Sequence, residues 1–228
     1  MRVASYNIRK AVGTDGRRDP DRIIRVLASL DADVVALQEA DLRRQPRRPA
    51  LDRAALRTGA GLVPVEFDHG RDSLGWHGNA ILVRPEVAVV SRSHHDLPGL
   101  EPRGTVMAEL EVDEQAVRVV GAHLGLLRPS RRAQARALAD LLSNSAIMPT
   151  ILMGDLNERS RETGLGILGR MLSIHDAGPS FPSRFPLLPL DRIAVSAGLR
   201  VLEARAVAEG EARTGSDHLP IVARLARS

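Results

Sequence analysis

The chain has 228 residues and no cysteine, which excludes disulfide bonds and thiolate metal sites. Its 32 basic and 28 acidic residues give a net charge of +4, so the overall electrostatic field is modest. No apolar run approaches the roughly 18 residues of a membrane span and no signal-peptide pattern is present, so we expect a soluble cytoplasmic monomer without membrane insertion.

The first predicted elements are a strand, a helix and a second strand. Residues 2–8 form an apolar run that predicts a strand. Asp19 and Pro20 supply an N-cap and a first-turn proline, and the apolar spacing after them predicts a helix that closes near Asp31. A second buried strand is predicted over residues 33–39. This order implies a parallel pair of strands joined by a right-handed crossover.

The middle of the chain reads mainly as strands. The basic segment Arg43–Arg48 has two interpretations, a solvated loop or a contact with the phosphates of a nucleic-acid backbone. A short helix is predicted around residues 51–58. Strands are then predicted over residues 62–67, 78–83, 86–97, 104–112 and 116–125. The third and fourth of these contain partly alternating β-branched runs, which favour antiparallel pairing.

The second half of the chain repeats a similar order. Pro129 opens a helix with Leu138 and Leu142 on its apolar face. Residues 149–153 form a short buried strand, and a further helix is predicted over residues 162–172. A proline-rich loop separates this helix from the last elements. Those elements are strands over residues 190–195, 201–208 and 221–225.

The recurrence of strand, helix and strands predicts the architecture. Two mixed β-sheets packed face to face, with helices on the outside, account for this order. No Ser/Gly-rich linker or break in composition divides the chain. A layered domain of this length can bury roughly 70% of its unfolded surface. We therefore predict an α/β fold in a single domain that spans residues 1–228.

Polar side chains recur where the apolar runs end. They comprise three carboxylates, two amides and two imidazoles, contributed by Asn7, Glu39, His123, Asp155, Asn157, Asp217 and His218. Strand ends can bring distant residues to one edge of a sheet, so these groups can form one cluster. Carboxylate and amide oxygens suit a hard cation such as Mg²⁺, and the histidines can bind or protonate a phosphate.

Each of these features also has a purely structural interpretation. Gly154–Asn157 is a good turn sequence, Glu39 can be a solvated edge residue, and Ser216–His218 can be a hydrogen-bonded turn. The sequence does not support a metal-binding histidine pair or a serine-hydrolase site. The adjacent His94 and His95 face opposite sides of a strand, and the chain has no Gly-x-Ser-x-Gly elbow.

The ordered series of short motifs is more specific than any one of them. It comprises Asn7 after the first strand, Leu37–Glu39, Gly78–Ile81, Arg103–Gly104, His123–Leu124, Gly154–Asn157, Leu190–Ile193 and Ser216–Pro220. The series resembles the endonuclease/exonuclease/phosphatase superfamily, which includes exonuclease III and the pancreatic-type deoxyribonucleases, and the resemblance runs from residue 3 to residue 222. It implies a four-layer αββα sandwich and metal-assisted hydrolysis of phosphoesters.

The resemblance also implies which residues bind metal and substrate. Glu39 would be the main ligand of a Mg²⁺ or Mn²⁺ ion, with Asn7 and Asp217 near the same ion. Arg103 and Asn79 would bind a phosphate oxygen of the substrate.

The same resemblance implies a set of catalytic residues. Asp155 would orient or deprotonate the attacking water, and Asn157 would help to position that water or the phosphate. His218 and His123 would contact the scissile phosphate and stabilise charge as the P–O bond breaks. Asp191 would hydrogen-bond a catalytic histidine, hold its tautomer and favour the imidazolium.

Three functions remain open at this level. The first, which we favour over the two alternatives, is a metal-dependent phosphodiesterase acting as a nuclease on DNA. The second is a phosphatase or phosphodiesterase for a lipid headgroup or another small phosphorylated metabolite, and the third is a non-catalytic phosphate-binding module. Arginine accounts for every basic residue except Lys10 and suits phosphate contacts, although coding bias gives the same composition. Tyr6 is the only tyrosine, so the tyrosines that many DNA-cleaving relatives bring to the phosphate have no clear counterpart, and no long apolar hairpin of the sphingomyelinase type is present.

Overall fold

The computed structural model describes residues 1–42, 48–67, 72–160 and 162–228. The strands in these ranges are β1 (Arg2–Asn7), β2 (Val34–Gln38), β3 (Val63–Pro64), β4 (Ala80–Val83), β5 (Ala88–Leu97), β6 (Arg103–Val112), β7 (Gln115–His123), β8 (Thr150–Asp155), β9 (Ser173–His175), β10 (Asp191–Val195), β11 (Leu199–Ala206) and β12 (Ile221–Arg227). The helices are α1 (Pro20–Leu30), α2 (Arg53–Ala55), α3 (Arg128–Ser143) and α4 (Ala212–Gly215). A π-helical turn over Leu56–Ala60 continues α2, and 3-10 turns occupy Arg9–Ala11 and Leu168–Arg170.

The strands form two six-stranded mixed sheets. The first has the order β11-β12-β1-β2-β4-β3 and the second the order β5-β6-β7-β8-β10-β9. The parallel pairs are β1–β2 and β7–β8, while the other neighbouring strands pair antiparallel. The predicted parallel pair at the start of the chain is therefore confirmed. Within each parallel pair the carboxyl ends lie at the same edge of the sheet, which places strand-end side chains together.

Three apolar layers hold the sheets and helices together. The layer between the sheets contains one face of each, with side chains from Val3, Ala36, Ile81, Val119, Met153 and Ile193. The opposite face of the first sheet packs against α1, and the opposite face of the second packs against α3. The alternation of side chains along each strand supplies both faces. The four-layer αββα sandwich that the resemblance implied is confirmed.

The long helices begin where their sequences predict. Asp19 caps α1, because its side chain accepts a hydrogen bond from the backbone N of Arg22 at 2.9 Å, and Pro20 is the first helical residue. Asp31 ends the helix in a left-handed conformation with φ 49°. Pro129 lies in the first turn of α3. No helix within the described ranges is both long and apolar enough to cross a membrane.

Two predicted elements differ from the structure. The helix predicted over residues 162–172 is replaced by turns, the 3-10 turn Leu168–Arg170 and the short strand β9. Three glycines lie within this segment, and each costs an α-helix about 1 kcal/mol relative to alanine. The strand predicted over residues 62–67 is reduced to the two residues of β3, which ends at Pro64. Most of the basic segment Arg43–Arg48 lies outside the described residues.

Candidate active site

The sheet register brings three of the predicted site residues side by side. In the second sheet, His123 at the end of β7 pairs with Asp155 at the end of β8, and Asp155 pairs with Asp191 at the start of β10. All three lie in a single row across neighbouring strands. Side chains at this register point into the space between the sheets, where Asn7 enters from β1 of the first sheet. Sequence-distant groups therefore meet because the strands end at one edge.

Asp155 lies at the centre of this group and is buried. Its Oδ2 atom accepts a hydrogen bond from Nδ2 of Asn7 at 2.9 Å. The Nε2 atoms of His123 and His218 approach the same oxygen, at 3.3 Å and 3.6 Å. Its Oδ1 atom accepts from the backbone N of Asn157 at 3.1 Å. The carboxylate is thus held in one orientation, with nitrogen atoms converging on the oxygen that faces the two histidines.

His218 is paired with a second buried carboxylate. Its Nδ1 atom lies 2.8 Å from Oδ2 of Asp191, and the Ser180 hydroxyl donates to the same oxygen at 2.5 Å. Burial alone would lower the pKa of His218, but the carboxylates of Asp191 and Asp155 outweigh burial and raise this pKa to about 9. His218 is therefore an imidazolium at neutral pH.

His123 has the opposite environment. Its Nδ1 atom lies 2.9 Å from Nη1 of Arg103. A guanidinium only donates hydrogen bonds, so this ring nitrogen carries the lone pair and Nε2 carries the hydrogen that points at Asp155. Burial lowers the pKa of His123 to about 4, in spite of the nearby Asp155, and the positive charge of Arg103 acts in the same direction. His123 is a neutral imidazole.

The predicted metal ligands Glu39 and Asp217 each face a cationic side chain. Lys10 forms an ion pair with the carboxylate of Glu39. Nε of Arg9 lies 3.4 Å from Oδ2 of Asp217. Arg9, Lys10 and Glu39 all have left-handed backbone conformations, with φ values of 45°, 58° and 52°. Such conformations are uncommon outside glycine and concentrate at functional sites.

The residues present fit a divalent cation of the hard type. Glu39, Asp217 and Asn7 offer carboxylate and amide oxygens, the ligands that Mg²⁺ and Mn²⁺ prefer. Lys10 and Arg9 lie beside the two carboxylates, whose negative charge attracts cationic groups. Within the part of the chain that the structure describes, the acidic and histidine ligand atoms that lie within 4.8 Å of one another come from Asp155, Asp191 and His218, a group that includes neither Glu39 nor Asp217.

The two predicted phosphate-binding residues make protein contacts. Arg103 holds His123 through Nη1 and donates through Nη2 to Oε2 of Glu101 at 2.9 Å. Asn79 is buried, and its Nδ2 donates to the carbonyl oxygens of Gly104 at 2.9 Å and Trp76 at 3.3 Å. These contacts tie the turn before β4 to the start of β6. Phosphate binding by Arg103 and Asn79 stays a prediction.

An open cleft of about 390 Å³ borders this cluster, and residues associated with both sheets line it. Its lining includes Lys10, Glu39, His77, Glu101, Arg103 and His123. The cleft therefore contains basic and acidic groups in similar number. Its volume accommodates a phosphate group and a small part of the molecule that carries it.

Sequence reasoning missed three residues that the structure places at the site, namely Lys10, His77 and Glu101. A signal for each was present. Lys10 is the only lysine of the chain and lies three residues after Asn7, and His77 immediately precedes the Gly78–Ile81 motif. Glu101 lies two residues before Arg103, a spacing that puts both side chains on one side of an extended segment.

Comparison with known proteins identifies relatives over most of the chain. A model of the Endonuclease/Exonuclease/phosphatase family matches residues 4–218. The protein YbhP of Escherichia coli (strain K12) is 27% identical over 246 aligned residues, covering 99% of this chain and 96% of YbhP.

Solved structures have the same fold at low sequence identity. The mannosyl-6-phosphatase of Bacteroides thetaiotaomicron superposes with a TM-score of 0.78 at 19% identity, covering 99% of both chains. The D. rerio TDP2 structure, complexed with a single-stranded DNA product, gives a TM-score of 0.76 at 18% identity and covers 99% of this chain and 98% of its own.

Proposed function

The chain belongs to the endonuclease/exonuclease/phosphatase family, and we propose that it hydrolyses a phosphoester bond with the help of a divalent cation. The observation that carries this proposal is the arrangement around Asp155. A carboxylate, a neutral imidazole and an imidazolium converge within 3.6 Å, and Glu39 lines the same cleft as the neutral imidazole of His123. Hydrolysis of a phosphoester needs a base for water and positive groups for the phosphate, and this arrangement supplies both.

Asp155 is the group best placed to take a proton from water. The backbone N of Asn157 fixes Oδ1, so the carboxylate keeps its orientation while Oδ2 faces the two histidines. A phosphate that enters between His123 and His218 would replace Oδ2 as the acceptor of their Nε2 hydrogens. Asp155 would then be released to bind the attacking water.

The two histidines carry different parts of the reaction. His218 brings a positive charge, held by Asp191, to the oxygen on which negative charge develops, and can pass its Nε2 proton to the leaving oxygen. His123 contributes a neutral N–H donor whose direction Arg103 sets. His218 thus supplies a proton, and His123 supplies an N–H donor that orients the phosphate.

Glu39, Asn7 and Asp217 would hold the Mg²⁺ or Mn²⁺ ion. The bound cation would offset the negative charge of the phosphoester and of these carboxylates. Lys10 and Arg9 would compete with the cation for Glu39 and Asp217.

Two substrate classes are supported by specific observations. A nuclease that cleaves DNA, the function favoured by the sequence, is supported by the likeness of the fold to TDP2 bound to single-stranded DNA. A phosphatase or phosphodiesterase for a small phosphorylated molecule or lipid headgroup is supported by the cleft. Its volume of about 390 Å³ and the acidic Glu101 and Asp41 on its lining suit a single phosphate group better than a polyanion.

The test is a substrate panel with Mg²⁺, Mn²⁺ or EDTA. The panel contains plasmid DNA, single-stranded DNA, RNA, a chromogenic bis-ester, sugar phosphates and phospholipids. We expect cleavage of at least one class only with the cation, and a loss of about a hundredfold or more in Asp155→Asn and His218→Ala. Asp113→Asn makes the same chemical change at the far end of the sandwich and should keep full activity. Activity that survives EDTA and both substitutions would contradict the proposal.

A further inference from the structure

A stripe of arginines runs along the outer side of α3. Arg128, Arg132 and Arg136 are spaced four residues apart, which aligns them on one side of the helix. All three are exposed, and within the described ranges none has an ion-pair or hydrogen-bond partner for its side chain. Arg159 and Arg170, from the segment that faces α3, are exposed and unpaired in the same sense. Unpaired charges of one sign on one surface favour a partner of the opposite sign.

The arginine stripe begins at the active site. A surface depression of about 340 Å³ is lined by Arg128, Arg131 and Arg159 together with Asn157, whose backbone N binds Asp155. A second depression, also about 340 Å³, lies along α3 and is lined by Arg132, Arg136 and Arg170 together with one acidic residue, Glu162. Glu158 is the acidic residue of the first depression, and Arg131 neutralises it across 3.3 Å.

Exposed leucines lie beside the stripe, on two loops at the rim of the cleft. Leu126 and Leu127 directly precede α3 and are 67% and 49% exposed, and Leu100 is 85% exposed. The two loops are joined, because Oε1 of Glu101 accepts a hydrogen bond from the backbone N of Leu126 at 2.8 Å. This leucine rim, Leu100, Leu126 and Leu127, is held by the same Glu101 that lines the cleft and binds Arg103.

The other side of the site also exposes large apolar side chains. Phe185 and Leu187 are 77% and 74% exposed and lie in the loop between β9 and β10. This loop is anchored at the site, since the backbone N of Ser183 donates to the carbonyl oxygen of Asp217 at 2.8 Å. Apolar side chains therefore flank the catalytic cluster on the His123 side and on the His218 side. Exposed apolar residues grouped around a functional opening mark a binding surface.

We propose that the arginine stripe and the leucine rim form a peripheral docking surface for a bilayer that contains anionic phospholipids. Arginines beside solvent-exposed leucines match the two components of such an interface, the phosphate headgroups and the outermost part of the acyl chains. A nucleic-acid backbone would use the arginines but would leave the leucines in water, and leucine offers no flat face on which a base can stack. Docking of this kind needs no membrane span.

The docking surface also indicates a substrate class for the function proposed above, and this substrate assignment rests on that function. With this surface on a bilayer, the open cleft lies next to phosphorylated headgroups. The substrate class that follows is the phosphoester of an anionic phospholipid headgroup.

Binding is tested without catalysis, by co-sedimentation of the full chain carrying Asp155→Asn, in EDTA, with vesicles. One set contains phosphatidylcholine alone and the other an equimolar mixture with phosphatidylglycerol. We expect binding to the anionic vesicles only, weakening as salt rises. Replacing Arg128, Arg132 and Arg136 by Gln should reduce partitioning by about tenfold or more. Replacing Leu100, Leu126 and Leu127 by Ser should also reduce partitioning.

The matched controls remove the same features elsewhere. The first control replaces Arg200, Arg224 and Arg227 by Gln, which removes three charges from β11 and β12. The second control combines Val90→Ser with Leu202→Ser, which removes exposed apolar groups. Both controls should bind vesicles normally. The docking surface would be overturned if the controls lost as much binding as the test variants, or if both vesicle types bound equally. It would also be overturned if the protein bound duplex DNA through these arginines and did not bind vesicles. Vesicle binding in a protein that cleaves no phosphoester would instead retain the docking surface and remove the proposed function.

Discussion

His123 and His218 direct their Nε2 atoms at the same oxygen of Asp155, at 3.3 Å and 3.6 Å, but carry different charges at neutral pH. The difference in charge arises at the other ring nitrogen, Nδ1. The Nδ1 atom of His123 faces the guanidinium of Arg103, whereas that of His218 faces the carboxylate of Asp191. A donor on the outer side keeps a ring neutral, and an acceptor on the outer side favours the cation.

The charge on His218 predicts how activity depends on pH. The pKa of His218 is raised from about 6.5 to about 9, so the imidazolium is present at neutral pH and is lost as pH rises through about 9. We expect activity to fall over that range. Asp191→Asn removes the nearest carboxylate and should move this fall to lower pH by about one unit or more. Rates measured from pH 6 to 10 check the shift, with Asp113→Asn as the control; an unshifted fall in Asp191→Asn would show that another group titrates.

The contact between Arg103 and His123 predicts a change in tautomer. Arg103→Met removes the guanidinium donor at Nδ1 of His123, so a fraction of the ring should take its hydrogen at Nδ1 and lose it at Nε2. Nitrogen NMR of the imidazole detects this directly. Because the ring then presents a lone pair to the phosphate, kcat should fall about tenfold or more, while KM changes little.

Arg118→Met provides the matched control for Arg103, because Arg118 also forms an Arg–Glu pair in the second sheet, with Glu109 at 2.7 Å. This variant should leave the His123 tautomer unchanged. If Arg103→Met raises KM strongly and leaves both kcat and the tautomer alone, Arg103 binds substrate phosphate, as the sequence predicted.

The sequence allowed much of the fold and of the site to be predicted, for identifiable reasons. The strands that end in Asn7, His123 and Asp155 are largely apolar runs with polar last residues, so both the strand and the polar residue at its end could be recognised locally. The αL residues near Glu39 could not be recognised this way. Lys10 has no glycine or asparagine neighbour that signals a left-handed turn, and its contact with Glu39 depends on two strands being adjacent.

The partners of the site residues were harder to predict than the residues themselves. Asp191 was expected to hold a histidine, and the structure places it on His218. Nothing local to the sequence indicates that Glu101 joins two loops, because the hydrogen bond to the backbone N of Leu126 spans separate elements. Such contacts arise from packing of whole strands, and short motifs do not encode them.

The buried position of Asn79 predicts a structural effect. Asn79→Ala removes two hydrogen bonds from its Nδ2 to backbone carbonyls and takes this donor from the buried carbonyl of Gly104, so the free energy of unfolding should drop by about 1–3 kcal/mol. Urea denaturation measures the change. Asn144→Ala, an exposed change at the end of α3, should alter stability by less than about 0.5 kcal/mol. A variant that keeps its stability but shows a much higher KM would favour the phosphate-binding role.

The ion pair between Lys10 and Glu39 predicts how the chain would bind a divalent cation. The ammonium group lies on the carboxylate that is the main predicted ligand, so a divalent ion must displace it before binding. Lys10→Met removes this competition at nearly constant side-chain length, and the affinity for Mg²⁺ should increase by about tenfold. Calorimetric titration of the substrate-free protein measures the affinity without any reliance on activity. Glu39→Gln should weaken Mg²⁺ binding strongly, and Arg53→Met, which breaks the exposed pair of Arg53 with Glu66, should leave it unchanged. If Lys10→Met binds Mg²⁺ more weakly, Lys10 supports the metal site, and the prediction that the cation displaces Lys10 is wrong.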